Sequence, residues 1–360
     1  MPALHRRGLG VHSDLSLRLS IRDCSICGVW SDGFGTRKTT STRRTKTNPM
    51  SIAFLYPGQG AQFAGMLHQL PERAEVKETL REASQVLGHD VLALDTEKAF
   101  SSTVPVQLAI FVSGVAMTRV LQAEGVKPEV VAGLSIGAFA AAVAAEALAF
   151  KDGLRVVKLR AELMEKAYPN GFGLSAVVGL NEQLLSQIVS EINKPESPVF
   201  LANLNAPTQI VIAGSDSGME AVLNRAKTEG ARTTKRLQVS VPSHCILLKG
   251  VADELTRRMT NIEIKTPELI YISNRRARAL RDPDRIREDL AVNITHAVRW
   301  HDATTVAYER GVRLFIELPP GHTLTDLAST AFPDARSIAL GQMQINAAVK
   351  LIKRYAERMS

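Results

Sequence analysis

Ser135 is the middle residue of "GLSIG" at 133–137, and the apolar "VVA" at 130–132 runs straight into it. A strand ending at Ala132 and a helix beginning near Ile136 leave almost no chain in which to reverse direction. The central residue is then forced into a strained conformation with its side chain projecting, while glycines on either side remove atoms that would collide. A hydroxyl held there sits at a helix N-terminus, where free N–H groups stabilise negative charge. The chemistry on offer is nucleophilic acyl transfer, provided a base stands within hydrogen-bond reach, because a serine hydroxyl alone yields almost no alkoxide at pH 7. The competing reading is a small residue in a buried strand-to-helix turn.

Eight histidines could supply the base. His5 and His12 lie in the N-terminal tail and His89 on a polar helix surface. His68, His296, His301 and His322 occupy helix-start or loop contexts and stay open as candidates. His244, in "QVSVPSHC", stands out by its setting: it follows a strand where the chain returns from one structural unit to another, and ligand sites tend to form between such units. Arg160, in the helical stretch 151–167, reads by itself as a solvated residue on an amphipathic helix.

The elements that must position these groups follow from the hydrophobic pattern. "SIAFLY" (51–56) ends at Pro57, Gly58 and Gly60 and reads as a buried strand before a tight loop. Helices are predicted over about 72–88 and 104–124, the second stopping at Gly125. The strand at 130–135, an Ala-rich helix and the helix at 151–167 follow. Strand and helix in alternation predict a parallel α/β sheet covered on both faces. Residues 171–240 read instead as βαββαβ, the ferredoxin-like plan, inserted into the larger unit. The α/β pattern resumes with "LIYIS" (269–273), a helix near 302–310, "RLFIEL" (313–318) and a helix near 344–357. The organisation expected is therefore a basic extension at 1–49, a large subdomain from 50–170 and 241–360, and a small subdomain at 171–240.

The chain has 360 residues, 45% hydrophobic and 22% charged, enough for a full core. Its net charge of +8 is misleading, since residues 1–49 hold nine Lys/Arg against three Asp/Glu and the remainder is close to neutral. A basic tail without an aromatic-interleaved stripe in the body argues against nucleic-acid binding. That tail reads as disordered, either an upstream or floppy extension or an Arg- and Ser-rich targeting segment. The run 136–150 is too short for a bilayer, so no membrane association is expected. Cys24 and Cys27 form "CSIC" with no second ligand pair nearby, and Cys245 stands alone. No metal site or disulfide framework is expected, and a reducing cytoplasm is the default location.

"YPGQGAQ" (56–62), "GLSIG" (133–137), Arg160 in "VKLRAELM", "NLNAPTQIVIAG" (203–214) and "SVPSHC" (240–245) occur together and in order. The combination resembles the malonyl-CoA:acyl carrier protein transacylases, from about Ser51 to the mid-300s. The resemblance implies an α/β-hydrolase-like large subdomain with a ferredoxin-like insert. It implies Ser135 as the acyl-accepting nucleophile and His244 as its base, oriented by a backbone carbonyl in "AVNITHAVRW" at Asn293. It further implies Gln59 and the Ile136 N–H as oxyanion donors, Arg160 as the clamp on the malonyl carboxylate, and Asn203 and Asn205 as substrate-binding residues. Malonyl-CoA would be the CoA thioester substrate and an acyl carrier protein the partner, with no bound cofactor. Fatty-acid-synthesis members usually carry His and Glu where this chain has Leu134 and Ala138. The spellings "GLSIGAF", "AYPNGFG" and "LPPGHTLT" look closer to the epsilon subunit of malonate decarboxylase, which charges that complex's own carrier protein. That subunit is the role expected first, ahead of fatty-acid synthesis, with a serine esterase behind both.

Overall fold

A computed structural model of the chain describes residues 51–359; the basic extension and "CSIC" lie outside the described residues. Strand β1 (Ser51–Tyr56) is buried from Ile52 onward because it lies inside a six-stranded sheet ordered β10-β9-β1-β2-β7-β8. Near-continuous apolar runs are what strands covered on both faces require. After β1 come α1 (Ala74–Leu87) and α2 (Thr103–Ala123), then β2 (Val130–Gly133), α3 (Gly137–Ala144) and α4 (Phe150–Ala167). Helix α2 is long and apolar enough to cross a membrane by length and composition, but it buries 16 of its 21 residues in the core. Ser102 caps its first turn and Gly125, in the left-handed region at φ 79°, lets the chain leave it.

The chain next builds a second sheet. β3 (Phe172–Val178), α5 (Glu182–Ile192), β4 (Val199–Ala206), β5 (Gln209–Ser215), α6 (Asp216–Thr228) and β6 (Thr233–Arg236) pair in the order β4-β5-β3-β6, all antiparallel. Leu185, Ile188, Met219 and Val222 from the two helices meet Val177, Ile210 and Ile212 from the strands in a core of their own.

The large sheet then resumes with α7 (Lys249–Met259), β7 (Ile270–Ile272), β8 (Ala279–Leu280), α8 (Pro283–Val292), α9 (Trp300–Glu309), β9 (Val312–Glu317), α10 (Thr323–Ala331), β10 (Arg336–Ala339) and α11 (Ile345–Met359). Its strands are parallel except β8, which turns back along β7 at the edge. The mixed α/β class with a parallel-dominated sheet is the one read from the sequence. Five elements had no counterpart in that reading: α7, β8, α8, α10 and β10. β8 and β10 are too short to show a period. "ARTTKRLQVS", expected as a whole strand, pairs only at Thr233–Arg236.

The two sheets are stitched along one seam. Val298, before α9, accepts a hydrogen bond from the Leu204 N–H and donates to the Ala202 carbonyl, both at 2.8 Å. A β-bridge between Asn203 and Val298 results, so β4 of the small sheet is tied to the large unit.

Candidate active site

Ser135 stands where β2 turns into α3, with φ at 56°. A non-glycine residue in that region costs of order 1 kcal/mol or more and persists only where its surroundings hold it. Two features hold it. A Cβ at Gly133 would strike the backbone of Gly137, and one at Gly137 would strike Tyr56 and Pro57, so only glycine permits the approach. The buried side chain of Asn274, just past β7, then bridges the turn: its Oδ1 accepts from the Ser135 N–H at 2.7 Å and its Nδ2 donates to the Gly133 carbonyl at 2.5 Å.

His244 Nε2 lies 2.7 Å from Ser135 Oγ, and its Nδ1 lies 2.9 Å from the Asn293 carbonyl. A carbonyl only accepts, so Nδ1 carries the ring proton and Nε2 is left bare to receive the serine proton. The His244 backbone is also fixed, at φ 67°, with its N–H donating to the Ile294 carbonyl at 2.7 Å. Burial, and after it the charge of Arg160, push the imidazole down to about 4, so it is neutral at pH 7. Arg160 is buried on α4, not solvated. Its Nη2 donates to Ser135 Oγ at 3.2 Å and its Nη1 to Gln107 Oε1 at 2.6 Å. Burial alone lowers the guanidinium to about 9, which leaves it charged at neutral pH.

Ser135, His244 and Arg160 thus converge on one hydroxyl, with the Asn293 carbonyl behind the imidazole. The Asn293 amide group makes no hydrogen bond to His244; its two polar atoms are buried without hydrogen-bond partners. Ile136 opens α3, and its N–H has no acceptor among the described residues. Gln59 is half-buried on the loop after β1, next to Gly58, which packs against Leu134, and the Leu134 N–H donates to the Tyr56 carbonyl at 2.9 Å. That loop therefore flanks the serine turn, although the Gln59 side chain is bonded to none of the three converging groups. Asn203 and Asn205 lie on β4 along the seam, outside this cluster; Asn203 pairs with Val211, and Asn205 Oδ1 is buried without a partner. Other histidines have local partners: His68 with Asp95, His322 with Asp326, and His296 with Thr295 and the Val292 carbonyl. Groups of three or more metal-ligating side chains are absent among the described residues.

A groove of about 610 Å³ runs along the seam past Phe200, Leu201, Ile246 and His296, and of the three converging groups only His244 lines it. Gln107 and Asn274 have no role in the sequence reading. The signal for Gln107 is a polar residue inside the apolar run "VPVQLAIF", since a buried amide must find a partner. For Asn274 it is an amide at the C-terminal end of a buried strand, the rim where α/β sheets carry their ligands.

A model of the acyl transferase domain matches residues 53–355. The chain belongs to that family. The acyl transferase family members most similar in sequence include the "Malonyl CoA-acyl carrier protein transacylase" of Haemophilus influenzae, 34% identical over 299 residues, covering 81% of this chain and 96% of that one. Its counterpart in Bacillus subtilis is 33% identical over 308 residues, covering 84% and 97%. Among solved acyl transferases, the acyl carrier protein S-malonyltransferase of Vibrio cholerae is 34% identical with a TM-score of 0.78, covering 83% of this chain and 99% of that one. A polyketide malonyl-transacylase solved with its acyl-carrier protein is 32% identical with a TM-score of 0.79, covering 85% and 99%. These relatives bear the transacylase name that the sequence reading placed second, and they lend no support to particular closeness to the malonate decarboxylase subunit.

Two predictions arise from this geometry. The second-order rate constant kcat/KM for acylation by malonyl-CoA should be bell-shaped in pH. It should fall on the acid side toward about 4 as His244 takes a proton and on the alkaline side toward about 9 as Arg160 loses one. In the complex, the substrate carboxylate cancels the charge that helps to depress His244, so the acid limb of the single-turnover rate at saturation should lie higher than that of kcat/KM. Stopped-flow release of CoA across pH checks both limbs. Second, Asn274→Ala removes both braces of the serine turn and should cost about 2–4 kcal/mol of stability, since each buried partner left unpaired costs about 1–3 kcal/mol. Urea unfolding measures this, and a loss below about 0.5 kcal/mol, the level of surface substitutions, would rule the bracing out.

Proposed function

We propose that this chain moves a malonyl group from malonyl-CoA to the thiol of an acyl carrier protein through a malonyl-serine ester. His244 Nε2 takes the proton from Ser135 as Oγ attacks the thioester carbonyl. The C–S bond then breaks, and CoA leaves as the thiol with the proton that His244 returns. In the second half, the carrier thiol gives its proton to His244 and its sulfur attacks the ester carbonyl. The C–O bond breaks and Ser135 recovers its proton. The oxyanion donors in this proposal are the unpartnered Ile136 N–H and the Gln59 side-chain amide, and one such donor typically contributes about 3–4 kcal/mol to the transition state.

The single observation that carries the reading is the buried guanidinium of Arg160 on the nucleophile itself, 3.2 Å from Ser135 Oγ. A cation at that spot suits an acyl group with a free carboxylate and is costly beside a neutral one, which disfavours an esterase of fatty or neutral esters. Names of the relatives add the carrier protein as acceptor. The test is the mass of the intact protein after mixing with malonyl-CoA, followed by addition of carrier. A malonyl adduct confined to the peptide of Ser135 and discharged by carrier thiol is expected; its absence defeats the reading.

A second reading keeps the chemistry and changes the acceptor to the carrier subunit of malonate decarboxylase. It is favoured by Leu134 and Ala138, which replace the His and Glu usual at this turn in the fatty-acid enzymes. Transfer rates to the two carriers, measured side by side from the same malonyl-enzyme, separate the readings.

A further inference from the structure

Gln107 is buried at 1% exposure in α2, facing α4. Its Oε1 takes the Nη1 edge of Arg160 at 2.6 Å, while its Nε2 points to Met164 Sδ at 3.6 Å. Nη2 reaches Ser135 Oγ, and Nε is buried with no partner. No carboxylate is paired with Arg160 among the described residues. A guanidinium recognises a carboxylate through two parallel N–H donors. With Nη1 occupied, the Nε–Nη2 edge is the pair left open, and it is the edge beside Ser135.

We propose that Gln107 is a specificity-determining residue: it fixes Arg160 by a neutral amide oxygen, so that the positive charge stays uncancelled and the Nε–Nη2 edge faces the acyl group on Ser135. The inference deepens the malonyl-transfer reading above and rests on it. A carboxylate in the place of that amide would satisfy Arg160 from within. The substrate's carboxylate would then meet a neutralised partner and a nearby like charge, whereas an uncharged acetyl group would lose nothing. A short acyl group fits the geometry, because the guanidinium already touches the oxygen to which the acyl carbon bonds.

The experiment compares malonyl-CoA with acetyl-CoA in single-turnover acylation of Ser135, read by intact mass, for the wild-type chain, Gln107→Glu and Gln107→Leu. Labelling by a fluorophosphonate, a neutral probe of the Ser135–His244 pair, reports whether each variant has a working nucleophile. For Gln107→Glu, kcat/KM with malonyl-CoA should fall by about a hundredfold or more with acetyl-CoA unchanged or faster, as expected when a polar site is satisfied by the wrong partner. For Gln107→Leu, the charge is intact but unsteered, so KM for malonyl-CoA should rise by about tenfold with little change for acetyl-CoA. A Gln107→Glu chain that reacts normally with the fluorophosphonate and keeps its malonyl preference overturns the proposal. If that variant fails to label, the leucine variant decides, and an unaltered malonyl KM there overturns it equally. A wild-type chain that takes the fluorophosphonate but never malonyl overturns the functional reading itself and the proposal with it.

Discussion

Ser135→Ala and His244→Ala should each reduce malonyl transfer by a factor on the order of 10⁴–10⁶, and the double variant should be no worse than either single one, because nucleophile and base act as a unit. The reason lies in the bond network. Ser135 Oγ has one strong acceptor, His244 Nε2 at 2.7 Å, and that nitrogen is bare only because the Asn293 carbonyl holds the proton on Nδ1. Without the imidazole the serine proton has nowhere to go; the neighbouring guanidinium is a donor and cannot accept it. Without the serine, His244 has no acyl acceptor to activate. Quenched-flow transfer of labelled malonyl to carrier measures the effect. A His244→Ala chain retaining activity within about tenfold, the scale of a mere orienting role, would exclude general-base catalysis by this residue.

Arg160→Ala is expected to lower kcat/KM for malonyl-CoA by about a thousandfold while leaving acetyl-CoA within about threefold, so that selectivity between the two collapses. Removal of the guanidinium also removes the second cause of the low His244 value, after burial, so the acid limb of the acetyl-CoA profile should move upward from about 4 while staying below that of a solvent-exposed histidine. The same change should stabilise the fold if the vacated space is filled, as in Arg160→Met. A buried charge with no ionic partner is a liability, and replacing such groups by apolar residues often gains about 1–4 kcal/mol. Thermal melts with and without malonyl-CoA test this directly: the variant should melt higher than the wild-type chain when free. A lower melting point for Arg160→Met would show that the amide and hydroxyl contacts of Arg160 outweigh its desolvation.

The alternation of strand and helix on either side of residues 171–240 was legible because short apolar strands there take turns with stretches of helical period, whereas 171–240 sets two strands side by side between its helices. "SIAFLY" is apolar after Ser51 and buried from Ile52 onward, and in the small sheet β4 and β5 follow each other across two residues. Ser135, with its two glycines, was legible as a turn, and His244 as a junction residue. What the residues alone misplaced was Arg160: the amphipathic spacing of 151–167 is real, but this guanidinium lies on its buried side. The partners of Gln107 and Asn274 were illegible because each lies more than 50 positions away, one across two helices and the other across two strands. Helices α7 and α10 begin without side-chain caps, whereas α8 carries a start signal in Asp282 and Pro283. Asn203 and Asn205, expected at the substrate, stand on β4 along the seam.

The Val298 ribbon joins the two lobes by main-chain bonds beside the groove that ends at His244. Pulling β4 away from Val298 would break both of those bonds. The opening beside His244 is thus tied to the register of a single bridge, Asn203 against Val298.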